Sequence, residues 1–157
     1  MKDQRNIRTV SLIGEAGFCR LQQASVAVFG LGGVGSFAVE ALARSGVGTL
    51  YLYDHDTVSE SNCNRQLIAF PHTVGQLKTD LMAERCQAIN PDIIIVKMPV
   101  FVTAQTEIPM TSFDFVIDAI DNVTAKLHLI EEAEKFGVPM ISVMCSHHGH
   151  RGGRECS

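Results

Sequence analysis

Long apolar runs, an excess of positive charge and paired cysteines are all missing from this chain of 157 residues. No apolar stretch reaches the roughly 20 residues that a helix needs to cross a bilayer. The opening Met1-Lys-Asp-Gln-Arg-Asn is not followed by the apolar segment of a secretory leader. A net charge of −4 gives no electrostatic basis for broad nucleic-acid binding, so any RNA contact would need a local patch. The five cysteines (Cys19, Cys63, Cys86, Cys145, Cys156) form no Cys-x-x-Cys pair. Reduced thiols in a cytoplasmic setting are the expectation. The chain shows neither an internal repeat nor a linker. Its 46% hydrophobic content is enough for the core of one domain.

What is present is a glycine turn between two regular elements, Val26-Ala-Val-Phe-Gly30-Leu-Gly32-Gly33-Val-Gly35. A short apolar strand breaks there and an amphipathic helix begins. Glycines let the backbone turn tightly and approach a ligand without a Cβ in the way. The new helix offers unpaired N–H groups and the positive end of its dipole, which together suit a phosphate. Asp54 follows the next apolar run, Thr49-Leu-Tyr-Leu-Tyr53, at the distance typical of a βαβ nucleotide unit. A carboxylate there accepts hydrogen bonds from ribose hydroxyls. The pattern predicts a bound nucleotide.

Strand and helix patterns alternate along the rest of the chain. Helices are expected over residues 12–23, 34–45, 74–89 and 123–136, with strands over 26–30, 49–53, 93–96, 113–117 and 139–144. Phe37 and Leu42 supply an apolar face to the second helix. The run at 93–96 reads as a strand buried on both faces. Cys86, and Cys19 with it, reads as a small core residue. Residues 56–73 form a polar loop too long for an ordinary strand-to-helix connection, and such loops usually carry function. Right-handed crossovers then predict an α/β fold: a Rossmann-like, doubly wound, mainly parallel sheet with helices on both faces. Its ligand belongs at the carboxyl edge.

Glycines alone do not choose a chemistry, because dehydrogenases share them. The choice rests on polar residues at the other strand ends. Ser61-Asn62-Cys63-Asn64-Arg65-Gln66 lies in the long loop, and Lys78 falls in the first turn of the following helix. A cation there opposes the helix dipole unless an anion is nearby. Asp121, just past a strand end, can hold a divalent metal, and Asp121-Asn122 can also cap the next helix. Arg65, Lys78 and a metal-binding acid suit a triphosphate attacked at phosphorus, whereas hydride transfer needs none of them. Cys63 lies close to Arg65 but has no evident base, so a catalytic thiol is not the primary reading.

These residues carry a family resemblance. Gly30–Gly35, Asp54-His-Asp56, Ser61-Asn62…Asn64-Arg65-Gln66, Val74-Gly75-Gln76-Leu77-Lys78 and Asp118-Ala-Ile-Asp121-Asn122 resemble the ThiF/MoeB group of adenylating enzymes, relatives of the ubiquitin-activating enzymes. Arg8-Thr-Val-Ser-Leu-Ile-Gly14-Glu and the run from Gly35 to Gly46 look most like the bacterial tRNA threonylcarbamoyladenosine dehydratases. The resemblance implies ATP and magnesium as cofactors, with Arg65, Lys78 and Asp121 as the catalytic set. The backbone of Gly30, Gly32, Gly33 and Gly35 would face the nucleotide and Asp54 would hold the ribose. Asn62, Arg65, Gln66 and Lys78 would contact the triphosphate, supported by Asp56. Asp121 would position the metal. Arg8 would reach the nucleotide of a second subunit, which implies a homodimer. The acceptor implied is a tRNA. The alternatives are the C-terminus of a ubiquitin-like sulfur carrier, or a nucleotide-binding module without turnover.

Residues 1–144 read as the adenylation domain. Residues 145–157, rich in His, Gly and Arg, depart from the family pattern and read as an atypical, disordered tail on a chain truncated relative to its relatives. Cys145, His147, His148, His150 and Cys156 match no regular zinc-finger spacing.

Overall fold

The computed structural model describes residues 4–143, so the readings for Met144 and the 145–157 tail lie outside the described residues. Five parallel strands form one sheet in the order β3-β2-β1-β4-β5. They are β1 (Ser25–Phe29), β2 (Thr49–Tyr53), β3 (Ile94–Met98), β4 (Phe115–Asp118) and β5 (Met140–Ser142). The helices are α1 (Ile7–Gln23), α2 (Gly35–Ser45), α3 (Lys78–Ile89) and α4 (Val123–Phe136). Two crossovers carry the chain outward through β2 and β3, and the next starts again on the other side of β1. The order therefore reverses between β1 and β4, and a crevice opens outside their carboxyl ends.

Strand alternation divides the core between the two faces of the sheet. Val26, Val28, Leu50 and Leu52 pack with Val39 and Ala43 of α2 and with Met82 and Cys86 of α3. Ala27, Phe29 and Tyr53 point the other way, toward Ala125, Leu129 and Ala133 of α4. Ile108, Met110 and Phe113 of the connection between β3 and β4 seal that second face. Glu40 of α2 bonds Arg85 of α3 through both carboxylate oxygens and fastens the two helices together. Arg85 and Arg44 hold the Glu40 carboxyl below its usual range, against the opposing effect of burial.

The doubly wound architecture agrees with the sequence reading, with local corrections. The third strand is an edge strand, and Ile94 is 60% exposed, so it is not buried on both faces. Its apolar run packs on α3 from one side only. Phe37 is exposed, because α2 turns Val39 and Ala43 inward. Cys19 is also exposed, whereas Cys86 is fully buried. The first helix starts earlier than residue 12 and is kinked at Gly14, where φ is 75°. The helix expected from residue 74 starts only at Lys78. Gly75 has a positive φ, and the segment is held as a turn, with the Gly75 N–H donating to the Val58 carbonyl and the Val58 N–H to the Gln76 carbonyl. Phe113 precedes β4, closing a short turn at Met110–Ser112, and Asp118 belongs to the strand.

Candidate functional site

A cavity of about 320 Å³ lies at the carboxyl ends of the strands. The glycine turn forms its floor through Gly30 and Gly32. Two of the glycines are required by packing. Gly30 has φ +90°, and a Cβ there would lie 2.6 Å from the Ala119 carbonyl oxygen. A Cβ on Gly35 would lie 1.8 Å from the Gly30 carbonyl oxygen. Gly32 and Gly33 meet no protein atom that closely. The nearest are Gln66 Nε2 at 3.9 Å and the Arg65 side chain and carbonyl at 3.8 Å. The first pair shapes the turn, and the second leaves backbone open to a ligand.

Asp54 ties β2 to that turn. Its Oδ2 accepts the Leu31 N–H at 2.7 Å and its Oδ1 accepts the Asp56 N–H at 2.8 Å. Each oxygen keeps a lone pair for a hydroxyl donor. Lys78 is the first residue of α3 and only 5% exposed. The anion that offsets its position at the helix N-terminus is Asp56, whose Oδ2 accepts from Lys78 Nζ at 3.0 Å. A protein carboxylate therefore already answers the electrostatic mismatch seen in the sequence, while Lys78 still lines the cavity. His55 Nε2 meets the other Asp56 oxygen at 3.1 Å.

The long loop is ordered by two short helical turns, Glu60–Asn62 and Pro71–Thr73. Asn62 accepts the Ser59 N–H and presents its remaining amide surface to the cavity. Arg65 is exposed at the rim, steered by bonds from Nη1 to the Ser61 carbonyl and Asn64 Oδ1. Gln66 is buried, and its Oε1 has no hydrogen-bond partner among the described residues. An orphaned acceptor on a cavity wall is what a polar ligand would satisfy.

Asp121 lies on the opposite wall with Asn122, whose side chain caps α4 by accepting the Ala125 N–H at 3.0 Å. The Asp121 carboxylate has no hydrogen bond or ion pair among the described residues. Asp54, His55 and Asp56 also offer ligand atoms within 4.8 Å of one another. The Asp56 oxygens, however, are already engaged by Lys78 and His55. Asp121 is thus the better-placed oxygen donor for a hard divalent cation.

Arg65, Lys78 and Asp121, from three separate segments, share this cavity, as do Asp54, Asn62 and Gln66. Gly33 lies beneath Arg65, Gly35 is buried behind the turn, and Arg8 is exposed on α1 away from the cavity. Sequence reasoning missed the apolar wall of Val100, Phe101 and Val102, which follows the edge strand without any regular period. It also missed Tyr53, whose ring stacks on Phe29 with centroids 4.2 Å apart. Burial pushes the Tyr53 phenol up to about 12. The described residues contain no helix long and apolar enough to cross a membrane.

The ThiF family profile matches residues 4–152. The tRNA threonylcarbamoyladenosine dehydratase of Bacillus subtilis is 48% identical over 134 residues, covering 84% of this chain and 53% of that protein. The enzyme of the same name from Haemophilus influenzae is 44% identical over 126 residues, covering 79% and 48% respectively. The crystal structure of Escherichia coli tRNA N6-threonylcarbamoyladenosine dehydratase in complex with ATP superimposes with a TM-score of 0.85 at 40% identity. That match covers 88% of this chain and 58% of the other. The chain spans about half the length of the curated relatives it matches. Profile, sequence identity and superposition agree, and the chain belongs to the ThiF family.

Proposed function

We propose that this chain is the nucleotide-binding part of a tRNA threonylcarbamoyladenosine dehydratase, working in the cytoplasm as a homodimer. The observation that carries the reading is the meeting of Arg65, Lys78 and Asp121 around a glycine turn pinned by Asp54. Asp54 would accept from the ribose, and the apolar wall at Val100–Val102 would lie against the base. Arg65, Lys78 and the amides of Asn62 and Gln66 would bind the phosphates. Asp121 would hold magnesium, which supplies charge neutralisation at the phosphates when bound. Arg8, outside its own chain's cavity, would reach the nucleotide of the second copy.

The chemical problem is a poor leaving group. A carboxylate oxygen departs only after phosphoryl transfer has made it an ester of AMP. The carboxylate of the modified adenosine attacks the α-phosphorus, the bond to the bridging oxygen breaks, and pyrophosphate leaves with the electron pair. The neighbouring carbamoyl group then attacks the acyl carbon, AMP departs with the electron pair, and a carbamoyl N–H proton is lost to water as the ring closes. Arg65 and Lys78 act on charge that grows on the phosphate oxygens, and the glycine turn fixes the line of attack. Incubation with ATP and labelled pyrophosphate tests the reading. Exchange is expected with tRNA carrying threonylcarbamoyladenosine. Exchange stimulated only by a ubiquitin-like carrier would reject it, and ATP binding with no AMP formed under either acceptor would indicate a module without turnover.

A further inference from the structure

Asp121 lies in a loop clasped by a buried ion pair that the chemistry above does not use. Asp118 ends β4 and is fully buried, and its Oδ2 accepts from Lys126 Nζ at 2.5 Å. Lys126 comes from α4, is 7% exposed, and also donates to Ser142 Oγ at 3.1 Å and the Val143 carbonyl at 3.0 Å. Ser142 in β5 donates to the same Asp118 oxygen at 2.6 Å. The other oxygen, Oδ1, accepts the Ile120 N–H at 3.0 Å. One charge pair thus joins β4, α4 and β5, and both of its members are well supplied with partners. A fully bonded buried pair of this kind fixes geometry more reliably than it adds stability.

The segment between the two partners is short, and Ala119, Ile120, Asp121 and Asn122 all face the cavity. Ile120 is held on one side of Asp121 by Asp118, and Asn122 on the other side by its helix cap. The Asp121 carboxylate alone is left without a partner there. Lys126 also neutralises Asp118, so only one of the two carboxylates in the loop remains available to a cation.

We infer that Asp118, Lys126 and Ser142 form a positioning clasp, which holds the 119–122 loop so that Asp121 faces the nucleotide phosphates and couples it to β5. The inference rests on the reading of Asp121 as the ligand of a divalent cation on ATP. Groups that orient a metal ligand from behind it typically change metal affinity by tenfold or more when removed.

The test is calorimetric titration of ATP into the full chain, in EDTA and across magnesium concentrations. The double variant Asp118→Leu, Lys126→Met removes both charges together, so neither is stranded in the interior. It is expected to need about tenfold more magnesium for half-maximal binding, with affinity in EDTA within about twofold of the parent. An unchanged magnesium requirement overturns the inference, as does an equal loss in EDTA, which would indicate a purely structural role. If the double variant does not fold, Ser142→Ala removes only the hydroxyl link between β5 and the ion pair. A requirement raised about threefold is then expected, and an unchanged one overturns the inference. Asp121→Ala separates the two readings. Persisting magnesium dependence in that variant refutes Asp121 as the ligand and the clasp with it. Its loss there, with the double variant unaffected, refutes the clasp alone.

Discussion

Arg65 and Lys78 illustrate two ways of placing a cation at a cavity. Lys78 is buried, with its charge answered by Asp56, so its position is fixed before any ligand arrives. Arg65 is exposed and, among the described residues, bonded only within its own loop, to Ser61 and Asn64. Removing Lys78 empties a buried position at the start of α3, which mixes folding with binding. Arg65→Ala is the cleaner substitution. It should leave the unfolding free energy within about 0.5 kcal/mol of the parent, as is usual for an exposed side chain. ATP affinity should fall on the order of tenfold, the equivalent of about 1.5 kcal/mol for a lost charge-assisted bond. Paired urea unfolding and ATP titration read the two quantities separately. An unchanged affinity would remove Arg65 from the phosphate site.

At the scale of elements, the glycine turn divides its labour between packing and ligand access. Gly35→Ala sets a methyl group against the Gly30 carbonyl, a backbone atom that cannot swing aside. A destabilisation of about 3 kcal/mol or more is expected from such overpacking. Gly32→Ala meets nothing closer than Gln66 Nε2 at 3.9 Å, so stability should stay within about 1 kcal/mol while ATP affinity drops. Denaturant midpoints and titrations of both variants check the contrast, and a Gly35→Ala variant as stable as the parent would contradict the packing account. The strands and helices were legible because their apolar periods differ, the glycine turn and Asp54 because each follows a strand end, and Arg65 because it belongs to a polar cluster in an unusually long loop. Which strand lies at the edge was not legible. The run at 93–96 looks buried on both faces until the order of the strands leaves Ile94 open. Phe37 misled because helical period identifies a face, but only packing against α3 and the sheet selects it. Lys126 was invisible because its link to Asp118 crosses from strand to helix, where neither period applies.

Across the whole molecule, the site and the first core share one helix. Lys78 opens α3 at the cavity, and Cys86 lies further along the same helix, fully buried against the sheet and α2. Burial pushes the Cys86 thiol up to about 12, so near neutral pH it is both inaccessible and protonated. Alkylation needs the exposed thiolate, and the reagent can reach Cys86 only when α3 leaves the sheet. That same opening carries Lys78 away from the cavity in which the proposed nucleotide would lie. ATP should therefore protect a cysteine that it never touches. At a ligand concentration of 100 times Kd, binding stabilises the closed state by about 2.7 kcal/mol, which slows labelling through the open state about 100-fold. Peptide mapping after timed iodoacetamide exposure measures this directly, with the exposed Cys19 on α1, away from the cavity, as the internal control for reagent. Cys86 labelling as fast as Cys19 without denaturant would mean that α3 is not held by the core. Slow labelling that ATP leaves unchanged would mean that the cavity and the core open independently.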